Sequence, residues 1–204
     1  MLAHSPLSFL RTARISKPAR LIEKPFAFKN KSAVEAILAK YPEDRKKSAV
    51  IPLLHLGQAE NGGYITKGVI DAVSEATGSP FGRVHEAATF YTMFRFTPPG
   101  KHIIEVCHGL SCYLRGSDDI KKAIEKAAGG TFKEGKSKDG EFSLLEVECL
   151  GACANAPVMI LDEVYYQDLT VEKVQKIIQN VKKGIDNTKL DAIHTPPAKS
   201  AIYK

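Results

Sequence analysis

The chain has 204 residues, of which 44% are hydrophobic, and a formal net charge of +6. This length and apolar content allow a packed core in one large domain or two small ones, and they argue against global disorder. Residues 1–25 account for most of the charge, and no basic stripe with interleaved aromatic residues follows, so nucleic-acid binding is not predicted. No apolar run approaches the roughly 20 residues of a membrane-spanning helix, which predicts a soluble or peripheral protein.

The first 25 residues form a basic segment that carries Ser and Thr residues and has no acidic residue before Glu23. This composition is typical of a mitochondrial transit peptide, and a basic disordered tail is the alternative. An extension that is retained and lies on a partner is also consistent with it. We therefore predict a targeting or partner-binding extension over residues 1–25.

Residues 26–97 are predicted to form a bundle of four short helices. The first carries apolar residues at helical spacing from Val34 to Tyr41 and ends before Pro42. A second covers about residues 48–60, with Pro52 setting a boundary or a kink. Thr66 is placed to cap a third helix that ends at Gly78. Ser79 and Pro80 are placed as the N-cap and first residue of a fourth.

The periodicity changes near Pro98, and residues 98–184 read as a mixed α/β domain. Strands are predicted at 103–107 and 142–147, with a further strand from Phe132 that turns at Asp139-Gly140, and 158–161 pairs with 164–166 in a hairpin. Helices are predicted from Ser117 to Gly129 and from Thr170 to Gly184. Residues 185–204 are predicted to be a tail. The fold class is therefore α+β, a helical bundle followed by an α/β domain.

The four cysteines are the candidate functional residues: Cys107, Cys112, Cys149 and Cys153. The spacing is C-x4-C, then 36 residues, then C-x3-C, and each pair follows a predicted strand. Loops at neighbouring strand ends can face each other, each giving two thiolates to one iron while sulfides bridge the two irons. Gly109, Gly116 and Gly151 flank or interrupt the pairs, and glycine allows backbone N–H groups to approach the sulfides. The pattern predicts one [2Fe–2S] cluster.

Spacing alone leaves two alternatives open, a structural zinc site and four buried structural cysteines. A thioredoxin-type disulfide is not predicted, because it requires C-x-x-C. A Rieske centre requires two His ligands, and only His108 adjoins a cysteine, so we expect His108 to be a loop residue or a donor to the cluster's surroundings. The chain lacks a secretory signal, which disfavours a disulfide framework.

Several separated motifs resemble one known family. Its signature is matched by Asp139-Gly140-Glu141-Phe142-Ser143 and, five residues later, Cys149-Leu150-Gly151-Ala152-Cys153-Ala154-Asn155-Ala156-Pro157. Its other hallmarks are matched by Tyr41-Pro42, residues 58–63, residues 87–94, Cys107-x4-Cys112-x2-Arg115-Gly116 and residues 165–170. The family is the small [2Fe–2S] subunit of the flavoprotein module of respiratory complex I, NADH:ubiquinone oxidoreductase. The resemblance covers about residues 26–183.

The resemblance implies a thioredoxin-like domain with Cys107 and Cys112 on one iron and Cys149 and Cys153 on the other. It also implies a larger partner subunit that binds NADH and FMN, and a neighbouring iron–sulfur subunit of the same module. In that family the cluster exchanges an electron with the flavin, on the side away from the main route to quinone. The implied location is the matrix side of the mitochondrial inner membrane.

Two other functions are alternatives to this one. An equivalent subunit of a soluble NAD-linked hydrogenase or formate dehydrogenase stays within the family but changes the host complex. A structural zinc-binding interaction module belongs to another class and has no redox role. The chain itself has no G-x-G-x-x-G after a strand and no P-loop, so neither nicotinamide binding nor a complete active site is predicted on it.

Overall fold

The structure, a computed structural model, describes residues 21–130, 132, 135–185 and 187. Most of the predicted N-terminal extension and of the predicted C-terminal tail therefore lies outside the described residues. None of the helices in the described part is both long enough and apolar enough to cross a bilayer.

Helices form the first half of the described chain, as predicted. They are α1 (Lys31–Leu38), a 3₁₀ helix (Glu43–Ala49), α2 (Val50–Glu60), α3 (Lys67–Thr77) and α4 (Phe81–Phe90). Pro52 lies in the first turn of α2, where its missing N–H leaves no carbonyl unpaired. Thr66 caps α3 by accepting a hydrogen bond from Val69 N, at 3.4 Å. The helices close over an aliphatic core that includes Leu53, Leu54, Ile65, Val69, Ile70, Val73 and Val84.

The second half combines a sheet with helices. Its elements are β1 (His102–Cys107), α5 (Leu110–Leu114), α6 (Ser117–Ala128), β2 (Phe142–Val147), a 3₁₀ helix (Cys153–Asn155), β3 (Met159–Leu161), β4 (Val164–Tyr166) and α7 (Val171–Lys182). The four strands lie in the order β2-β1-β3-β4. β1 and β2 are parallel, whereas β3 is antiparallel to both β1 and β4. The predicted α+β class is confirmed.

The sheet core is built from apolar stripes on the two long helices. Ile120 and Ile124 of α6 are buried against the strands, and so are Val174 and Ile178 of α7. Thr170 caps α7 as predicted, accepting from Lys173 N at 3.3 Å. The tight β3–β4 turn at Asp162 and Glu163 also agrees with the prediction, and both residues have positive φ angles there.

Two predicted helix starts are wrong by one residue. Pro80 has a non-helical ψ of 143° and is itself the N-cap of α4, so the first helical residue is Phe81 rather than Pro80. Gly116 is the N-cap of α6, with its carbonyl accepting from Asp119 N at 3.0 Å, and Ser117 becomes the first helical residue. Ser117 Oγ therefore does not cap the helix.

The strand predicted from Phe132 is not formed by the residues that the structure describes in this region. Lys136 makes only an isolated bridge to Ser143. Asp139 does close a turn, accepting from Ser137 Oγ at 2.5 Å and from Glu141 N at 3.1 Å. The turn prediction is therefore confirmed, but the ladder that would make a hairpin is limited to one bridge.

Candidate metal centre

The parallel pairing of β1 and β2 brings the two cysteine loops to one edge of the sheet. Cys107 is the last residue of β1 and pairs with Val147, the last residue of β2. The carboxyl ends of parallel strands lie at the same edge, so the loops that leave them are neighbours. The predicted placement of both pairs after strand ends is confirmed.

The first loop holds its cysteines in the interior. Cys107 and Cys112 are each only 2% exposed, and they share a small buried cluster with Ala156 and Val158. Cys112 lies on α5, a five-residue helix that the sequence analysis missed because so short a segment has no readable periodicity. This helix turns the Cys112 thiol back towards Cys107.

The second loop is in backbone contact with the first. A Cβ added at Gly109 would lie 2.6 Å from the carbonyl oxygen of Glu148 and 3.6 Å from Cβ of Cys149. Only glycine fits so close an approach. Gly109 therefore sets the spacing between the two loops.

The cysteines of the second loop are exposed, unlike those of the first. The Sγ atoms of Cys149 and Cys153 are 3.6 Å apart. Gly151 N donates to Cys149 Sγ at 3.4 Å, with Gly151 at a φ of 80°. The loop thus presents two adjacent thiols and one backbone donor at the surface.

The pKa values of three thiols reflect this arrangement. Burial, together with the neighbouring Cys107 thiol, raises the pKa of Cys112 to about 11. Burial also raises the pKa of Cys107, but the backbone N–H groups of Leu150 and Gly109 and the thiols of Cys112 and Cys149 outweigh it, so the net pKa is lowered. A hydrogen bond with Cys149 raises the pKa of Cys153. Four thiols this close resist ionising together unless a cation is present.

The donor set fits a [2Fe–2S] cluster. It consists of four sulfurs, arranged as a buried pair and an exposed pair that meet at Cys107 and Cys149, with backbone N–H groups aimed at Cys107 and Cys149. A cluster of this type is held by four thiolates, two on each iron, and backbone donors stabilise its negative charge. Among the described residues, no group of three or more His, Cys, Asp or Glu side chains is arranged to hold a single metal ion.

His108 is engaged with carboxylates rather than directed at the thiols. Its Nε2 lies 2.9 Å from Asp118 Oδ1 and 3.7 Å from Glu146 Oε2. Lys121 on α6 also pairs with Glu146. These contacts tie the first loop to α6 and β2, which agrees with the expectation that His108 is a loop residue.

Two further contacts hold the second loop, and the sequence analysis gave their residues no role. The Tyr165 hydroxyl donates to the Leu150 carbonyl at 3.1 Å. Asn155 Nδ2 donates to Asp168 Oδ2 at 2.9 Å, and Asp168 N donates to the Asn155 carbonyl at 2.8 Å. Tyr165 and Asp168 belong to a motif that the sequence analysis recognised, but only the tertiary structure shows what they contact.

Exposed apolar side chains lie beside the thiols. We call Leu110, Tyr113 and Leu114 the α5 patch; Leu110 and Leu114 are 75% and 74% exposed. A second exposed group, Phe90, Tyr91 and Met93, lies at the end of α4 and in the turn after it. Contiguous exposed apolar side chains are a common feature of surfaces that contact another molecule.

Sequence comparison identifies relatives for most of the chain. The sequence model of the family described as thioredoxin-like [2Fe-2S] ferredoxin matches residues 34–182. An NADH-quinone oxidoreductase subunit of Rickettsia bellii is 47% identical over 157 residues, which are 77% of this chain and 93% of that relative. The mitochondrial NADH dehydrogenase [ubiquinone] flavoprotein 2 of Dictyostelium discoideum is 42% identical over 162 residues, which are 78% of this chain and 65% of that relative.

A solved structure is also similar. In an NAD+-reducing [NiFe]-hydrogenase in the H2-reduced state, the matching region has a TM-score of 0.58 and 18% sequence identity. The match covers 70% of this chain and 23% of that chain. At this identity the likeness shows the fold alone.

Proposed function

The chain belongs to the thioredoxin-like [2Fe–2S] ferredoxin family, and from that membership we propose that it is the electron-transfer subunit of the NADH dehydrogenase module of respiratory complex I. Membership also confirms the predicted thioredoxin-like fold and indicates a [2Fe–2S] cluster. The observation that carries the proposal is the 47% identity to the Rickettsia NADH-quinone oxidoreductase subunit, which extends over 93% of that relative. The chain is thus a subunit of an oxidoreductase complex.

The proposed ligands are the four cysteines, with Cys107 and Cys112 on one iron and Cys149 and Cys153 on the other. Their support is the convergence of both pairs at the β1–β2 edge and the backbone donors at Cys107 and Cys149. When bound, the cluster supplies a reversible one-electron reduction.

The residues around the thiols perform three tasks in this proposal. Ala156 and Val158 exclude water from the first pair. Gly109 and Leu150 aim backbone N–H groups at Cys107, which offsets negative charge on sulfur. His108, through Asp118, fixes the loop to α6. The second pair stays at the surface, where an electron has a short path to a group on another subunit.

The proposed partner is the subunit that binds NADH and FMN, and the neighbouring iron–sulfur subunit belongs to the same module. The names of the two relatives, an NADH-quinone oxidoreductase subunit and an NADH dehydrogenase flavoprotein, support this part of the proposal. The α5 patch is the surface that best supports direct contact near the cluster, because it lies on the helix that carries Cys112. The cluster would exchange one electron with FMN across this contact.

The proposed location is the matrix side of the mitochondrial inner membrane, where the chain is peripheral as part of the complex. Support comes from the mitochondrial relative of Dictyostelium discoideum and from the basic, acid-poor composition of residues 1–25. The Rickettsia relative is at least as similar as the mitochondrial one, so the proposed location rests mainly on the composition of residues 1–25. Import of the full chain into isolated mitochondria tests the location. A chain that stays outside would contradict the mitochondrial location but not the proposed cluster.

A subunit of a soluble NAD-linked hydrogenase is the second candidate, and the hydrogenase structure with the same fold is the observation that favours it. Its 18% identity is far below the 47% of the Rickettsia relative, so the first candidate has the stronger support.

Co-purification tests the proposed function. The full chain, isolated with its native partners, is expected to be associated with a flavoprotein, and NADH is expected to generate the EPR signal of the reduced [2Fe–2S] cluster in that complex. Isolation with a hydrogenase or formate dehydrogenase subunit would support the second candidate. A chain that contains zinc and no iron would contradict both.

A further inference from the structure

Tyr165 contacts the second cysteine loop from outside it. Its side chain lies on β4 and packs against the buried cluster that contains Cys107 and Cys112. Its hydroxyl donates to the carbonyl oxygen of Leu150, at 3.1 Å and partly buried. A strand residue that is distant in sequence therefore holds one specific carbonyl between Cys149 and Cys153.

That carbonyl belongs to the same peptide group as the N–H of Gly151. Gly151 N donates to Cys149 Sγ at 3.4 Å. The Tyr165 hydroxyl, the Leu150–Gly151 peptide and the Cys149 sulfur thus form one hydrogen-bonded chain. A hydrogen bond that the hydroxyl donates to the carbonyl oxygen polarises the peptide group. This strengthens the hydrogen bond that the N–H of the same peptide makes, by about 10–30% per bond.

Gly151 follows this peptide in a backbone conformation that favours glycine. Its φ is 80°, a conformation that side-chain-bearing residues rarely adopt, yet a Cβ added there would meet nothing within 4 Å. Space therefore does not require glycine at this position, but the backbone conformation does. The positive φ turns the chain that follows Gly151, while the Leu150–Gly151 peptide keeps Gly151 N 3.4 Å from Cys149 Sγ.

We propose that Tyr165 is a positioning residue that acts through the Leu150–Gly151 peptide to hold and strengthen the N–H···S bond to Cys149, and thereby raises the reduction potential of the cluster. The inference rests on the proposed function, in which Cys149 is a ligand. Reduction adds negative charge to the cluster and its thiolates, so a stronger donor stabilises the reduced state more than the oxidised one. Removal of the hydroxyl is expected to make the potential more negative.

A potentiometric EPR titration of the holoprotein tests this with Tyr165→Phe, which keeps the ring. At a fixed solution potential, we expect the ratio of reduced to oxidised cluster to fall by about twofold to tenfold relative to wild type, the effect of losing one N–H···S bond when the peptide is no longer held in place. For a one-electron couple this is a midpoint potential about 20–60 mV more negative. Tyr64→Phe removes a hydroxyl from the helical bundle instead and serves as the matched control, with no change expected.

An unchanged midpoint in Tyr165→Phe would overturn the inference, and so would an equal shift in Tyr64→Phe. If Tyr165→Phe does not retain the cluster, hydrogen exchange of the Gly151 amide in the cluster-free chain decides the question. Exchange about twofold to tenfold faster than in wild type supports the inference, and unchanged exchange overturns it. Failure of the proposed function is distinguishable, because the wild-type chain itself would then give no iron–sulfur signal.

Discussion

The two cysteine loops hold the same kind of proposed ligand, a thiol, in different surroundings. The first encloses Cys107 and Cys112 in an apolar cluster, and the second leaves Cys149 and Cys153 at the surface. Burial makes ionisation of Cys112 costly, with a pKa of about 11, so in its proposed role as a ligand this thiolate would depend on the iron to stabilise its charge. The exposed pair depends less on its own packing and more on contacts from β4 and from the segment before α7. Packing in the core therefore positions the first loop, whereas hydrogen bonds to neighbouring segments position the second.

Serine substitutions at the four cysteines test this difference most strongly. Cys107→Ser or Cys112→Ser leaves a buried hydroxyl in an apolar cluster, whereas Cys149→Ser or Cys153→Ser places one at the surface. Burial penalises the charged form that a ligand must take, as the raised pKa of Cys112 shows, so we expect the first two variants to bind the cluster about tenfold more weakly than the last two. The iron retained per chain under competition with a chelator ranks the cluster affinities of the four variants. Equal losses of iron in both loops would show that burial does not make the two pairs of cysteines different.

Separating the two loops should have the next largest effect. Gly109→Ala places a Cβ 2.6 Å from the Glu148 carbonyl oxygen, so the backbones must move apart. We expect a loss of about 1–3 kcal/mol in the free energy of unfolding and a lower cluster content. Urea denaturation and iron analysis measure both.

Gly82→Ala is the matched control for that substitution. Gly82 lies in α4, where an added Cβ meets nothing within 4 Å. This variant is expected to be neutral or up to about 1 kcal/mol more stable, because alanine is the better helix former. An equal loss of stability in both variants would mean that glycine is not required at position 109 for the contact between the loops.

The role of the α5 patch can be tested by measuring binding to the proposed partner. Leu110→Ser with Leu114→Ser removes most of the α5 patch without touching a buried residue. We expect affinity for the flavin-binding subunit to fall by about thirtyfold, or about 2 kcal/mol, with cluster content unchanged. Ile185→Ser, at another exposed apolar position, is the control. Unaltered binding of the double variant would assign the contact to a different surface.

The tether between the second loop and the segment before α7 should have the smallest effect. Asn155→Ala removes the hydrogen bond to Asp168, which is partly buried. We expect a loss of about 1 kcal/mol, which lowers the melting temperature by about 2–4 °C. Asp168→Ala should cost a similar amount, and the double variant should cost less than the sum because one contact is shared. Strict additivity would show that the two side chains do not act together.

The sequence predicts the site better where the pattern is local and repeated. Helix α3, with its Thr66 cap, and strands β1 and β2 follow from apolar spacing, and the strand ends place all four cysteines at one edge. Helix α5 is too short to leave a periodic signal, although it positions Cys112. The start of α6 shifts by one residue because a glycine carbonyl, rather than the Ser117 hydroxyl, begins the hydrogen-bonded turn.

The contacts that distinguish the two loops could not be predicted from pattern. Tyr165 and Leu150 are distant in the chain, and so are Gly109 and Glu148, so each contact depends on the register of the sheet. The burial of one cysteine pair and the exposure of the other have the same origin. The spacing of the cysteines gives no difference among the four thiols, whereas the tertiary structure buries one pair and exposes the other.

Metal and sulfide analysis with EPR, carried out on the holoprotein isolated without added metal, tests the central claim most directly. The account predicts iron and inorganic sulfide in equal amounts, two of each per chain, and an EPR signal of one unpaired electron per chain after reduction with dithionite. Stoichiometric zinc in a colourless protein that gives no EPR signal after reduction would contradict it.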